Sequence, residues 1–273
     1  MTTAFLRYAV VLIAAGGIEL FSAPAALSQE RECSLPESFY AFEPPPRKMA
    51  KALAGGREVV IAAVGGASTL GLAAGGADFA WPARLAAALT EKFPSARTKV
   101  INFAVARQTA KQMVDRLDRD ILPLKPTLVI WETGTMEAVR GIDVDQFRET
   151  LQTGTDQLRA ARVEVVLMNM QFSRATDTMI HFEPYLTAMR EVADANDVPL
   201  FRRHEIMRYW AESGLLDLRA SDGKKRGRVA AKLYDCIGRT MAQFLTRGLP
   251  IEKSGARGFH DPIPGISSSP SGR

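Results

Sequence analysis

An apolar run that stops at two glycines and opens onto hydroxyls is a place to look for a nucleophile. VVIAAVGGASTLG, Val59 to Gly71, is such a run, and Ser68 is its candidate. A serine at the mouth of a buried strand attacks a carbonyl carbon when a neighbouring base takes its proton. Three more segments close apolar runs or precede amphipathic ones: AVARQ (104–108), TGTME (133–137) and ASDGKKRGR (220–228). Bases are scarce. His181, His204 and His260 are scattered, with no pair at metal-ligand spacing. His204 is expected to start a helix, and His260 falls in the tail. Asp222 could orient a histidine, but Lys224, Lys225 and Arg226 follow it instead. A protonated Lys or Arg cannot act as base unless its pKa falls far below its reference value. GGASTLG lacks the Gly-x-Gly-x-x-Gly spacing of a dinucleotide loop, and no Lys follows to make a phosphate loop. No cofactor is implied.

These four loops need a scaffold, and the sequence outlines one. Apolar runs at 58–64, 98–104, 127–132, 163–170 and 198–201 read as strands. Helical patterns lie between or after them: WPARLAAALTEKF (81–93), 109–122, 144–161, 182–196 and 233–245. In FRRHEIMRYW (201–210) the pattern turns Ile206, Met207 and Trp210 inward and leaves the arginines in solvent. Strand and helix in alternation predict a parallel sheet covered on both faces. Ligands in such a sheet sit beyond the carboxyl ends of the strands, where three of the loops fall. The Met residues of VVLMNMQF, with Trp81 and Trp131, read as core.

With the loops placed, the chain resembles the SGNH hydrolases, the GDSL esterase/lipase group, from about Glu58 to Leu245. The likeness rests on VVIAAVGGASTLG, WPARLAAAL, KVINFAV, PTLVIWETGTMEAV, VVLMNMQFSR, LFRRHEIMRYW and LYDCIGRTMAQFL, in that order. It implies a flavodoxin-like three-layer α/β sandwich with a five-stranded parallel sheet. It also implies catalytic positions, and this chain departs from each of them. The family's Gly-Asp-Ser-x-Thr-x-Gly falls on Gly65 to Gly71, so the nucleophile's position is Ala67, and a methyl group cannot attack. A register shifted by one offers Ser68 but misplaces Thr69 and Gly71. The glycine that lends an amide to the oxyanion hole is replaced by Arg107. The third block, Gly-x-Asn-Asp, reads Gly134 to Glu137, with Met136 in place of the oxyanion-binding Asn. Losing such a donor costs roughly 3 kcal/mol of barrier. The final Asp-x-x-His keeps Asp222 and loses the histidine.

Composition bounds the remaining classes. The 273 residues carry 35 Lys and Arg against 30 Asp and Glu, a formal charge of +5, dispersed and too small to argue for nucleic acid. The first 28 residues have the pattern of a cleaved export signal: Arg7, an apolar stretch from Tyr8 to Ile13, and small residues at Ala26 and Ser28. An uncut anchor is the alternative, although Glu19 interrupts the apolar stretch. Residues 29–57 are expected to form an N-terminal arm, 58–247 the hydrolase-like domain and 248–273 a disordered tail. No membrane span is expected once the signal is cleaved. Cys33 and Cys236 are the two cysteines. In an oxidising compartment they are expected to pair and tie the arm to the last helix, with two free thiols as the alternative. The reading is an exported, periplasmic or secreted protein that keeps the fold and has lost the catalytic set. Its former cleft would bind an acidic glycan or other small anion through Arg107, Lys224, Lys225 and Arg226. An active esterase using Ser68 is the alternative, and a structural partner of an envelope assembly a third; no protein partner is identified.

Overall fold

The computed structural model describes residues 33–40, 45–218 and 223–250. Five strands, β1 (Val59–Val64), β2 (Thr98–Asn102), β3 (Leu128–Glu132), β4 (Glu164–Met168) and β5 (Leu200–Phe201), form one parallel sheet. Their order is β2-β1-β3-β4-β5. The chain leaves β1 towards β2 and then crosses back to β3, so the sheet reverses direction between β1 and β3. Such a switch is where the loops of open α/β sheets generally part to leave a crevice.

The strands alternate their side chains between two cores, as period two requires. Ile61, Ala63, Leu128, Ile130, Val166 and Met168 face one layer, and Ala62, Val64, Val129, Trp131, Val165 and Leu167 the other. Among the described residues ten α-helices cover or extend the sheet: α1 (Arg47–Ala54), α2 (Ala67–Leu70), α3 (Trp81–Lys92), α4 (Ala110–Val114), α5 (Thr135–Arg140), α6 (Val144–Ala160), α7 (Arg174–Asp177), α8 (Glu183–Asn196), α9 (Arg203–Glu212) and α10 (Gly223–Thr246). α1, α3, α9 and α10 lie on the first face; α4, α6 and α8 lie on the second. Local chemistry sets several starts. Thr109 and Gln112 form a capping box at α4, Asp143 accepts the Asp145 and Gln146 amides at α6, and Pro82 sits in the first turn of α3. α10 crosses α3 closely at Gly238, where a Cβ would lie 2.8 Å from the Leu85 nitrogen.

Two expectations need correcting. The last helix begins at Gly223, not Leu233, so the GKKRGR run is helical; its Lys and Arg residues are good helix formers and only two glycines oppose them. The helix expected over 109–122 stops after Val114, where Arg116 turns inward to donate to Phe103 O and, at 3.0 Å, to Gln108 Oε1; a wider turn follows over Leu117–Ile121.

Cys33 and Cys236 are bonded, with their Cα atoms 5.2 Å apart. Around that bridge Trp210 Nε1 donates to Ser34 O at 3.2 Å, Tyr40 Oη to Gln243 Oε1 at 3.1 Å, and Arg247 pairs with Glu37 at 2.9 Å.

Candidate functional site

β1 ends at Val64, Gly65 and Gly66 turn the chain, and Ala67 opens the single turn of α2, which Gly71 ends with φ of 77°. Ala67 is exposed at the crevice; Ser68, the next residue, is turned away from it and only 7% exposed. Ser68 Oγ lies 2.9 Å from both oxygens of Glu132 and donates to that carboxylate, while Arg203 Nη1 donates to Ser68 Oγ at 2.9 Å. Arg203 Nη2 reaches Glu132 Oε1, also at 2.9 Å. Thr69 Oγ1 donates to Glu132 Oε2 and accepts from Trp81 Nε1 at 3.1 Å, and Asn102 Nδ2 holds Thr69 O at 2.6 Å. Gly65 has to be glycine here, because a Cβ would come within 2.7 Å of Glu132 Oε2.

Burial alone would raise the Glu132 pKa. The charge of Arg203 and the hydrogen bonds from Thr69, Ser68 and Arg203 outweigh it and hold the carboxyl below its ordinary value. The cluster is therefore an ion pair at neutral pH, sealed under α2, with Ser68 as one of its hydrogen-bonding members. Glu132 is the one acceptor beside Ser68 Oγ that could take a proton, and a carboxylate of lowered pKa bonded to a guanidinium is a poor base.

The histidine nearest in sequence to this cluster faces elsewhere. His204 is 3% exposed; its Nε2 lies 3.0 Å from Asp177 Oδ1, and its ring packs against Phe172 and Phe182. His181 is exposed, and His260 lies outside the described residues.

The residues at the expected oxyanion positions differ in exposure. Arg107 sits at φ of 67°, the left-handed conformation a glycine would take most easily, with its side chain exposed. Its carbonyl accepts from Arg140 Nη2 at 2.9 Å, which brings a second guanidinium to this rim. Met136 is half-buried in the first turn of α5. Glu137, next to it, accepts from the amides of Ala110 and Gly134; burial raises its pKa despite those bonds and the charge of Arg140.

Of the basic run, Lys225 and Arg226 are exposed on α10; for Lys224 only the helical backbone is described, and Asp222 lies outside the described residues. A Cβ on Gly227 would lie 3.8 Å from Ala73 O, so this end of α10 packs beside the segment that follows α2. Thus Ala67, Arg107 and Met136 all border the sheet's switch point, with the run alongside. Among the described residues no group of three or more His, Cys, Asp or Glu could hold a metal ion.

Glu132 and Arg203 escaped the reading of the sequence, and Arg203 corrects the expectation that the arginines of α9 face solvent: it is 2% exposed. A signal was present. TLVIWE ends an otherwise apolar strand on a carboxylate, and a buried carboxylate demands a cation.

The sequence matches the Non-GDSL lipase-like family over residues 32–251. It is 30% identical over 124 residues to Thioesterase 1/protease 1/lysophospholipase L1 of Escherichia coli strain K12, a match covering 45% of this chain and 57% of that protein. The chain thus spans little more than half the length of that curated relative. Among solved structures, a two-domain esterase (CEX) active on acetylated mannans superposes with a TM-score of 0.57 at 16% identity, covering 77% of this chain and 55% of that one. TesA superposes at 0.50 and 19% identity, covering 65% of this chain and 97% of its own. These structures share the fold, an SGNH-hydrolase-like parallel α/β sandwich. The chain belongs to the Non-GDSL lipase-like family.

Proposed function

We propose that this member of the Non-GDSL lipase-like family is an exported protein that does not hydrolyse esters and uses the vacated crevice to bind. The observation that carries the reading is the state of Ser68: its hydroxyl is buried, donates to Glu132 and accepts from Arg203. Attack would require that oxygen to leave a satisfied ion pair, without an imidazole to receive the proton. At the family's nucleophile position stands Ala67, facing the crevice. The exposed guanidinium of Arg107, with Arg140 donating to its carbonyl and Lys225 and Arg226 on neighbouring α10, favours an anionic ligand such as an acidic glycan. The Cys33–Cys236 disulfide supports an oxidising compartment, periplasmic or extracellular. Among the described residues no helix is long and apolar enough to cross a membrane.

One contact favours a second reading. Ser68 Oγ lies within hydrogen-bond reach of Glu132, so a serine–carboxylate pair could drive an esterase. Incubation with a serine-reactive fluorophosphonate, followed by intact-mass measurement and turnover of an acetyl ester, separates the two. The binding reading expects no adduct and no turnover from folded protein. A stoichiometric adduct on Ser68, with turnover lost in Ser68→Ala, overturns it. For the ligand, Arg107→Ala is expected to weaken binding of an acidic oligosaccharide, and added salt to do the same. Affinity indifferent to both would remove the basic-crevice part of the proposal.

A further inference from the structure

The opposite edge of the sheet carries a cavity that the vacated site does not touch. It holds about 380 Å³ and lies at the amino ends of β4 and β5, between the start of α1 and the C-terminal ends of α6 and α8. Four cationic side chains from two helices and a turn line it: Arg47 and Lys48 on α1, Arg159 on α6, and Arg162 just beyond α6. Against them stand two carboxylates, Glu164 and Asp197. Glu164 is already engaged, since Oε1 accepts the Lys48 amide at 2.8 Å and Oε2 the Met49 amide at 2.9 Å. Arg159 is fixed by the carbonyl of Asn196 at 2.6 Å and lies 3.9 Å from Asp156, and Lys48 Nζ by the carbonyl of Arg162 at 2.7 Å. Among the described residues no hydrogen bond or ion pair engages the guanidinium groups of Arg47 and Arg162. Both are exposed.

A second observation points into the same space. Thr155 is 1% exposed, lines the cavity, and its Oγ1 has no hydrogen-bond partner. A buried hydroxyl left unpaired is costly, and most such groups in folded proteins find a partner. Val163, Val165, Val198 and Pro199 supply an apolar wall. Unpaired guanidinium groups over an apolar wall, with a buried hydroxyl awaiting a partner, suit a sugar-sized molecule bearing an oxyanion.

We propose that this cleft is a binding site for a small hydroxylated anion, a uronate or a sugar phosphate. Arg47 and Arg162 take the oxyanion, and Thr155 Oγ1 bonds to the ligand body. The site is independent of the crevice at Ala67, and its test uses other residues.

Isothermal titration of the full chain with digalacturonate, with glucose 1-phosphate and with neutral galactose provides that test. Saturable binding of one or both anions is expected, and none of galactose; the two anions separate the carboxylate source from the phosphate source. Arg47→Ala and Arg162→Ala are each expected to weaken binding about tenfold or more, since charge-assisted hydrogen bonds are lost. Thr155→Val, which keeps the shape, should weaken it by a smaller factor, and all three losses should persist with Arg107→Ala already present, which removes the crevice's own guanidinium. Absence of saturable binding to either anion overturns the proposal. So does binding that survives both arginine substitutions in the Arg107→Ala background. Unchanged far-ultraviolet circular dichroism confirms that each variant is folded.

Discussion

The two edges of one sheet hold their charges in opposite ways. At the carboxyl edge, beneath Ala67, the polar groups bond mostly to one another: Glu132, Arg203, Ser68, Thr69, Trp81 and Asn102 form one network, in which Arg203 Nε is left without a partner. At the amino edge, Arg47 and Arg162 extend into an open cleft and Thr155 Oγ1 lacks a partner. Catalysis needs groups that are held in place yet left with bonding capacity for the transition state. At the carboxyl edge Ser68 Oγ is held in place and already both donates and accepts. The ion pair there bridges β3 and α9 and fastens α2 to both, and so acts as a joint.

The largest effect should come from breaking that joint. Arg203→Ala leaves a buried carboxylate without its cation, and removing one partner of a buried pair costs about 3–5 kcal/mol. Urea denaturation is expected to show a loss of that size, or no folded protein at all. The pair Glu132→Gln with Arg203→Met should recover a substantial part, because no charge then remains stranded. A single Arg203→Ala that melts like the parent would mean the cluster is not holding α2.

Acid sharpens the same contrast. The folded Glu132 carboxyl titrates below its ordinary value, so the stability it confers is fully present above that value and is lost as pH falls through the lowered one. Stability should therefore decline below about pH 4, the ordinary range of a glutamate carboxyl. The decline should be shallower in the Glu132→Gln, Arg203→Met double variant, as denaturation measured from pH 6 downward would reveal. Identical slopes in parent and double variant would assign the acid sensitivity to other carboxylates.

How far these features could be read from the chain follows from where each one is written. The sheet was legible because β1 and β3 are nearly continuous apolar runs, and the helices because their faces repeat. Ala67, Arg107 and Met136 could be placed because each stands in a short block with fixed neighbours, directly after a strand. Arg203 was not legible as buried, since α9 and the residue before it present three arginines in RRHEIMR, Arg202, Arg203 and Arg208, and amphipathic spacing alone places such residues outside. Only the pairing of β3 with the start of α9 in space, 71 residues apart in sequence, selects the second of them. The amino-edge cleft was invisible for a similar reason. Arg47, Arg162 and Thr155 come from separate segments, none is part of a motif, and each alone reads as an ordinary surface or helix residue.

The smallest effect on stability tests the amino edge most directly. Arg162 holds φ of 59°, a left-handed position just past the end of α6, where a side chain is strained and glycine is not. Arg162→Gly should therefore raise unfolding free energy by up to about 1 kcal/mol, because the left-handed penalty of a β-carbon is removed. The same change deletes the guanidinium. If the cleft binds an oxyanion through Arg162, this variant becomes more stable and binds digalacturonate or glucose 1-phosphate more weakly. The opposing signs matter, because a residue kept only for the turn would have been better served by glycine. A variant that gained stability while keeping full affinity would show that the Arg162 guanidinium takes no part in binding at the cleft.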